Sequence, residues 1–242
     1  MNIAVVNFSG NVGKTTIVRH LLAPNLPDHT IVAVETINLD RNAKETITTS
    51  GRKVGKNIDD LIVNTNTIFD VGGSNIEGFM AELQKRDGAH QEIDLFLVPV
   101  TPEKKKMGDT INIISELSNL GVPPEKIKTV FNLVDPADEE CLPETFGMIY
   151  AFFSDTPRFS LSEKSTIYKA EVLEITFNIK TPEGKPITVY DLAADSADYK
   201  KMIRETSSPS QKHLYARRLA AVRLAQKAKD NFDGVFGELI KN

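Results

Sequence analysis

The residues best suited to chemistry lie near the start of the chain, in Phe8-Ser9-Gly10-Asn11-Val12-Gly13-Lys14-Thr15-Thr16. A Gly-containing bend that leads straight into a helix turns several backbone N–H groups toward one point. The helix N-terminus adds a positive field there, so the segment suits an anion such as phosphate. Gly13 permits close backbone approach, Lys14 carries an ammonium that can bridge phosphate oxygens, and Thr15 offers a hydroxyl to Mg²⁺. Gly10, Asn11, Val12 and Thr16 complete the expected cradle. The usual pattern has glycine where this chain has Phe8, so the match is partial and a plain Gly-rich turn is the alternative.

Asp70 is the second element. It ends Thr67-Ile68-Phe69-Asp70 and precedes Val71-Gly72-Gly73, which puts a carboxylate at the C-terminal edge of a predicted strand. Doubly wound sheets bind ligands at that edge. Taken alone, Asp70 reads equally as an ordinary strand-ending residue; beside Lys14 and Thr15 it becomes a candidate metal ligand and catalytic group.

These side chains need a sheet to position them. Short apolar runs occur at 2–6, 30–34, 67–71, 94–100 and 127–132. Several are continuous rather than alternating, as in parallel strands covered by helices on both faces. Between the last two, 103–120 carries Ile111, Ile114, Leu117 and Leu120 at helical spacing, and an α/β layer architecture follows. The run Phe146 to Phe153 is read as a further strand. Beyond it, 172–179 and 187–190 flank a turn-rich 180–186, giving either an irregular hairpin or a strand followed by a helix. A helix is predicted over 211–229, after Ser207-Ser208-Pro209-Ser210. The chain is taken as one domain over 1–242, with a variable distal segment at 136–205 and a basic C-terminal helical region at 211–242.

With these segments in place, the chain resembles the ParA/MinD family of deviant Walker A P-loop ATPases, and within it the StbB-like plasmid partition and stability proteins. That family carries Lys-Gly-Gly-x-Gly-Lys-Thr-Thr against Ser9-Gly10-Asn11-Val12-Gly13-Lys14-Thr15-Thr16 here. The second lysine and both threonines are retained, while the early signature lysine is Ser9 and the second glycine is Asn11. The resemblance implies a three-layer P-loop NTPase fold whose mainly parallel central sheet has helices on both faces. It also implies ATP or ADP and Mg²⁺ as ligands. By carry-over, Asp70 resembles the Walker B aspartate that holds the Mg²⁺ shell, and Gly72-Gly73 resembles a mobile second switch.

In the family, the early lysine crosses a nucleotide-sandwiched dimer to contact phosphate, so Ser9 puts that form of catalysis in doubt. The first switch departs too. Where the family has Asp-x-Asp, this chain reads Glu35-Thr36-Ile37; Glu35 keeps a carboxylate, Ile37 cannot polarise water, and Asp40 is the nearby substitute. Arg41, Arg52, Lys53 and Lys56 are candidates to replace the lysine. Val98-Pro99-Val100-Thr101-Pro102-Glu103 and Val130-Phe131-Asn132-Leu133-Val134-Asp135 match later family segments, which implies adenine recognition by Asn132; a turn-capping Asn is the alternative. The recognisable portion covers residues 1–135.

Composition narrows the partners. With 29 basic and 33 acidic side chains the net charge is −4, which excludes a wholly basic nucleic-acid coat but not a local patch. Nine Lys and Arg against four Asp and Glu lie from Lys201 onward, so that end carries the basic excess. Lys104, Lys105 and Lys106 open one helix, and Arg217, Arg218, Arg223 and Lys227 decorate another. Both are candidate DNA or partner contacts, with solvated helix faces as the alternative. Apolar Phe232, Val235, Phe236, Leu239 and Ile240 are interrupted by acids and glycines, which favours core packing over membrane docking. A lone Cys141 excludes an internal disulfide, and His20, His29, His90 and His213 lack ligand spacing. No run approaches the roughly 18 apolar residues of a membrane span. A cytoplasmic bacterial protein, nucleoid-associated if the basic face meets DNA, is expected.

Three functional classes follow. The first is a Mg-ATP switch in plasmid partition or stability with slow or partner-stimulated hydrolysis, an ATP-dependent homodimer and a small DNA-binding adaptor. The second is a nucleotide-binding regulatory protein with little turnover, in plasmid maintenance or conjugative DNA transfer. The third is a positioning ATPase at a membrane. A small-molecule kinase or ligase finds no acceptor motif.

Overall fold

The computed structural model describes residues 1–35, 46–50, 54–63, 65–177, 179, 184 and 186–240. Among the described residues, seven strands form one sheet: β1 (Ile3–Val5), β2 (Thr30–Val34), β3 (Thr46–Thr49), β4 (Thr67–Val71), β5 (Leu95–Val100), β6 (Ile127–Val134) and β7 (Thr166–Tyr168). Their order is β3-β2-β4-β1-β5-β6-β7, and every pairing is parallel. Every residue of β1, β4 and β5 is buried, which is why their sequences do not alternate; β1 and β5 are continuously apolar, and β4 is broken by Thr67 and Asp70.

The chain leaves β1 at the middle of this order, with β4, β2 and β3 to one side and β5, β6 and β7 to the other. That is a topological switch point, where a doubly wound sheet opens a crevice at its C-terminal edge. The register aligns the edge: Val5 pairs with Asp70 on one side and Leu97 on the other.

The intervening helices are α1 (Lys14–Thr16), α2 (Ala23–Asn25), α3 (Gly55–Asp59), α4 (Ile76–Lys85), α5 (Lys104–Asn119), α6 (Leu142–Thr145) and α7 (Gly147–Asp155). Between α1 and α2 the backbone widens into a π-helical stretch, Ile17–Leu22, whose Ile17, Val18, Leu21 and Leu22 are buried. α5 buries Met107, Thr110, Ile113, Ile114 and Leu117; of the stripe expected from the spacing, Ile114 and Leu117 are buried, while Ile111 and Leu120 are only half-buried against the same core. The architecture is the expected three-layer α/β P-loop NTPase fold.

Two sequence expectations are corrected. The run Phe146 to Phe153 is not a strand: Phe146 caps α7 and Gly147 to Phe153 lie in that helix. Phe146 and Ile149 are fully buried three residues apart, and Phe146 and Tyr150 both meet the ring of Phe131, with centroids at 4.6 and 5.9 Å. A helical stripe of large apolar groups imitated a continuous strand. The strand expected over 172–179 is instead α8 (Glu171–Phe177), whereas the helix of the strand-then-helix alternative is present as α9 (Val189–Ala193); what remains of a hairpin among the described residues is a single contact, from the Ile187 N–H to the Ile179 carbonyl at 3.4 Å. α9 begins at a capping box in which Thr188 and Asp191 satisfy each other's backbone N–H. Residues 180–183 and 185 lie outside the described residues.

The chain divides into two compact units, residues 1–169 with 235–242, and residues 170–234. The second holds α8, α9, α10 (Tyr199–Glu205) and most of α11 (Pro209–Ile240). There Asp195 accepts hydrogen bonds from Tyr199 (2.5 Å) and Arg218 (3.3 Å), and Tyr215 lies 6.2 Å from the Tyr199 ring. Along α11, Ala221, Ala225, Ala228, Phe232, Val235 and Leu239 are buried at alternating steps of four and three, one continuous helical stripe. Of the C-terminal apolar groups expected to pack, Phe232, Val235 and Leu239 are buried, while Phe236 and Ile240 are half-buried.

Candidate functional site

After β1, the backbone bends through Ser9 to Gly13 and enters α1 at Lys14. Asn7 sets the bend. Its buried amide donates to the Pro99 carbonyl and the Thr110 hydroxyl, each at 2.8 Å, while its Oδ1 accepts from the Ser9 N–H at 2.8 Å. Two loop residues then take left-handed backbone, Asn11 at φ 54° and Gly13 at φ 89°. Asn is among the few residues besides Gly that tolerate this conformation, which explains how Asn11 stands where the family pattern has glycine. At Gly13 no Cβ fits, since one would lie 1.9 Å from Nδ2 of Asn132.

Lys14 is buried and folds over its own loop, donating to the carbonyls of Ser9 (2.6 Å) and Asn7 (3.1 Å). Burial lowers its pKa to about 8, opposed by the charge of Asp70. Asp70 is itself buried on β4; loss of water pushes its pKa up to about 6, a hydrogen bond from the Thr15 hydroxyl pulls it down, and Glu35 raises it. Lys14, Thr15 and Asp70 therefore converge at the switch point. Glu35, at the exit of β2, adds a second carboxylate beside Asp70.

Thr15 and Asp70, both hard oxygen donors already in contact, fit a Mg²⁺ ion. Among the described residues no group of three or more His, Cys, Asp or Glu is arranged around a metal position. Mg²⁺ is usually bound through one or two protein side chains together with water and substrate phosphates, and Thr15 and Asp70 are the side chains that would hold it. The hydroxyl of Thr101, buried at the exit of β5, has no hydrogen-bond partner, so the same sheet edge retains unused polar capacity.

The glycines after Asp70 have a steric reason. A Cβ on Gly73 would lie 3.1 Å from the Phe8 carbonyl and 3.2 Å from the Gly10 nitrogen, so this turn packs backbone to backbone against the loop. Asn132, wholly buried on β6, donates to the Val12 carbonyl at 2.8 Å and braces the loop from the other side. The next residue, Leu133, sits at a bulge with φ 57°, an uncommon conformation for a bulky side chain.

The loop's outer side rests on α5. The Ser9 hydroxyl donates to Asp109 at 2.5 Å, Thr110 holds Asn7, and the Lys106 ammonium donates to the Asn11 carbonyl at 3.3 Å and pairs with Glu103 at 2.6 Å. Lys104 and Lys105 are exposed. Sequence reasoning missed Asn7, Asp109 and Thr110. A usable signal was present at Thr110, a polar residue in the apolar stripe formed by Met107, Ile114 and Leu117. On α11, Arg217, Arg223 and Lys227 are exposed, whereas Arg218 is held by Asp195 and Tyr199. Lys56 lies in α3; Ile37, Asp40, Arg41, Arg52 and Lys53 lie outside the described residues. Among the described residues, no helix is long and apolar enough to cross a membrane.

In sequence, the chain matches no protein-family model and no curated protein. In structure, it is similar to the MinC:MinD cell division complex of Aquifex aeolicus, with a TM-score of 0.50 and 13% identity over 93% of this chain and 94% of that one. Apo McdA of Cyanothece gives 0.49 and 12%, over 91% and 98%. The Pyrococcus horikoshii septum site-determining protein MinD complexed with Mg-ADP gives 0.47 and 15%, over 93% and 94%. At these identities the likeness is one of fold.

Proposed function

We propose that this chain binds Mg-ATP and works as a switch of the ParA/MinD kind in plasmid partition or stability, with slow or partner-stimulated hydrolysis. The observation that carries the reading is the meeting of Lys14, Thr15 and Asp70 at the switch point, behind a loop whose backbone is fixed by Asn7, Gly13 and Asn132. In it, Lys14 exchanges the loop carbonyls for phosphate oxygens. The loop N–H groups and the helix start surround the remaining oxygens. Thr15 and Asp70 would hold Mg²⁺, which supplies charge neutralisation on the phosphates. Asn132 braces the loop through the Val12 carbonyl, and recognition of the base by the same residue belongs to this reading through the family resemblance alone. Turnover is attack of water on the γ-phosphorus with ADP leaving.

The packing of Gly73 on the loop backbone supports a second switch that responds to phosphate. A partner-bound state, as in the MinC:MinD complex, is the proposed output, and exposed Arg217, Arg223 and Lys227 support a nonspecific contact with DNA phosphates. One observation favours a second reading with little hydrolysis: Ser9 is committed to Asp109 and carries no charge toward a dimer partner.

Equilibrium binding of ATP and ADP with and without Mg²⁺, to the wild type and to Lys14→Ala, tests the proposal. Mg²⁺-dependent binding that weakens by about tenfold or more in the variant is expected. A folded wild type that binds neither nucleotide, or a variant that binds as well as the wild type, overturns it.

A further inference from the structure

The phosphate site as built is short of positive charge. Lys14 is the cation within the loop, while Asp70 and Glu35 flank it and Asp109 closes the outer side. A bound triphosphate places its terminal oxygens where a single buried ammonium must answer several negative charges.

One other cation reaches the loop among the described residues. Lysine side chains normally extend their charge into water, as the exposed neighbours Lys104 and Lys105 do. Lys106 turns inward, its side chain only 17% exposed, and sets its ammonium against the carbonyl of Asn11. Asn11 is the left-handed residue at the crest of the loop, between Gly10 and Val12. The helix turn that carries Lys106 is not free to drift, because the next turn is tied to the loop at two further points, Asp109 to Ser9 and Thr110 to Asn7. What holds the ammonium itself is weak: a neutral carbonyl and the exposed carboxylate of Glu103, a pair of the kind that solvent largely screens. A charged group delivered to a phosphate loop by a fixed helix, yet lightly restrained, is poised to exchange partners.

We propose that Lys106 is the second phosphate-contacting cation of this site, supplied from within the same chain, which leaves Asn11 and Glu103 to pair with the terminal phosphate of a bound nucleoside triphosphate. This rests on the nucleotide reading above and deepens it. It also removes Lys106 from the surface cluster with Lys104 and Lys105, and it supplies in cis a positive charge at a loop whose position 9 is serine. Because the contact is with the terminal phosphate, its mark is discrimination between triphosphate and diphosphate rather than affinity for both.

The test is equilibrium binding of Mg-ATP and Mg-ADP to the full chain, with Lys106→Ala, Lys106→Arg, Glu103→Gln and, as an exposed-lysine control outside the site, Lys85→Ala. Thermal denaturation of each variant without nucleotide reports folding. Lys106→Ala is expected to weaken ATP about tenfold more than ADP, the size of a lost charge-assisted hydrogen bond. Lys106→Arg is expected to restore most of the discrimination. Glu103→Gln, which removes the competing carboxylate, is expected to tighten ATP by up to about threefold. Equal losses for ATP and ADP in a folded Lys106→Ala, or no loss in either, overturn the proposal while wild-type binding upholds the nucleotide reading. A wild type that binds neither nucleotide overturns both. If Lys106→Ala fails to fold, a Glu103→Gln protein with unchanged or weaker ATP affinity overturns the Lys106 assignment by itself.

Discussion

Two shielded carboxylates in this molecule are treated in opposite ways. Asp195, in the unit of residues 170–234, would have its pKa raised by burial, but the Tyr199 hydroxyl, the Ala197 N–H and the Arg218 guanidinium together hold it below the usual carboxylate range. Asp70, at the C-terminal edge of β4, is pushed up to about 6 by burial, with one hydroxyl donor from Thr15 and a second carboxylate, Glu35, adding to the cost of its charge. A carboxylate that serves packing is surrounded by donors until its ionised form is the comfortable one. One left short of donors at a sheet edge stores the capacity to accept a cation, and that pattern marks candidate functional sites.

The sharpest way to break this comparison is a matched pair of isosteric substitutions, measured by chemical denaturation in a chelator without nucleotide. Asp70→Asn removes a charge that the fold pays to keep dry, so it should stabilise the chain at pH 7 by about 2–3 kcal/mol. The same variant should lose Mg²⁺-dependent nucleotide binding. Asp195→Asn should destabilise by about 1–3 kcal/mol, because Arg218 and the Tyr199 hydroxyl lose a charged acceptor. Two losses, or two gains, would end the distinction.

The pH dependence of native stability gives a smaller but independent signature. For Asp70 the folded pKa of about 6 exceeds the ordinary 3.8, so the folded chain holds a proton that the unfolded chain releases across that window. Its contribution therefore falls as pH rises from about 4 to 6. For Asp195 the folded pKa lies below the ordinary value, so its contribution is present above that value and fades as pH drops through it. Asp70→Asn should flatten the decline between about pH 4 and 6, and Asp195→Asn should flatten the loss below the ordinary carboxylate value. A wild-type profile that one variant leaves unaltered would show that its carboxylate was wrongly assigned.

How much of this was legible in the sequence depends on whether a residue acts through its own spacing or through a distant partner. Lys14 and Thr15 are readable because strand, bend and helix start are consecutive in the chain, and Asp70 because it ends an apolar run. The central strands are readable because burial on both faces leaves no alternation to misinterpret. The short outer strands Thr46–Thr49 and Thr166–Tyr168 left too few residues for a pattern. The α7 stripe failed for the opposite reason: large apolar residues filled the intervening positions, and period was lost. The supports of the loop are long-range. Asn7 meets Thr110 and Ser9 meets Asp109 across about a hundred residues, so no local pattern announces them. Asn11 reads as a defect in a glycine pattern until its positive φ shows that the backbone requirement, not the residue type, is what the loop keeps.

The Ser9–Asp109 contact sharpens the comparison at its smallest scale, because it is a third way of treating a carboxylate. Asp109 is partly exposed, so water can replace the Ser9 hydroxyl when it is removed, whereas Asp70 is buried and Asp195, half-buried as well, is held by three donors rather than one. Ser9→Ala should therefore cost only about 0.5–1.5 kcal/mol in thermal or chemical denaturation, the net worth of one hydrogen bond. The effect on the loop should be local, since Asn7 still ties it to Thr110 and Pro99, and hydrogen exchange should quicken at Ser9 and Gly10 rather than across β1. A cost well above that range, or protection lost along the whole of β1, would mean that the outer clasp supports the sheet and not merely the loop, and the line drawn here between structural and functional carboxylates would have to include Asp109 on the structural side.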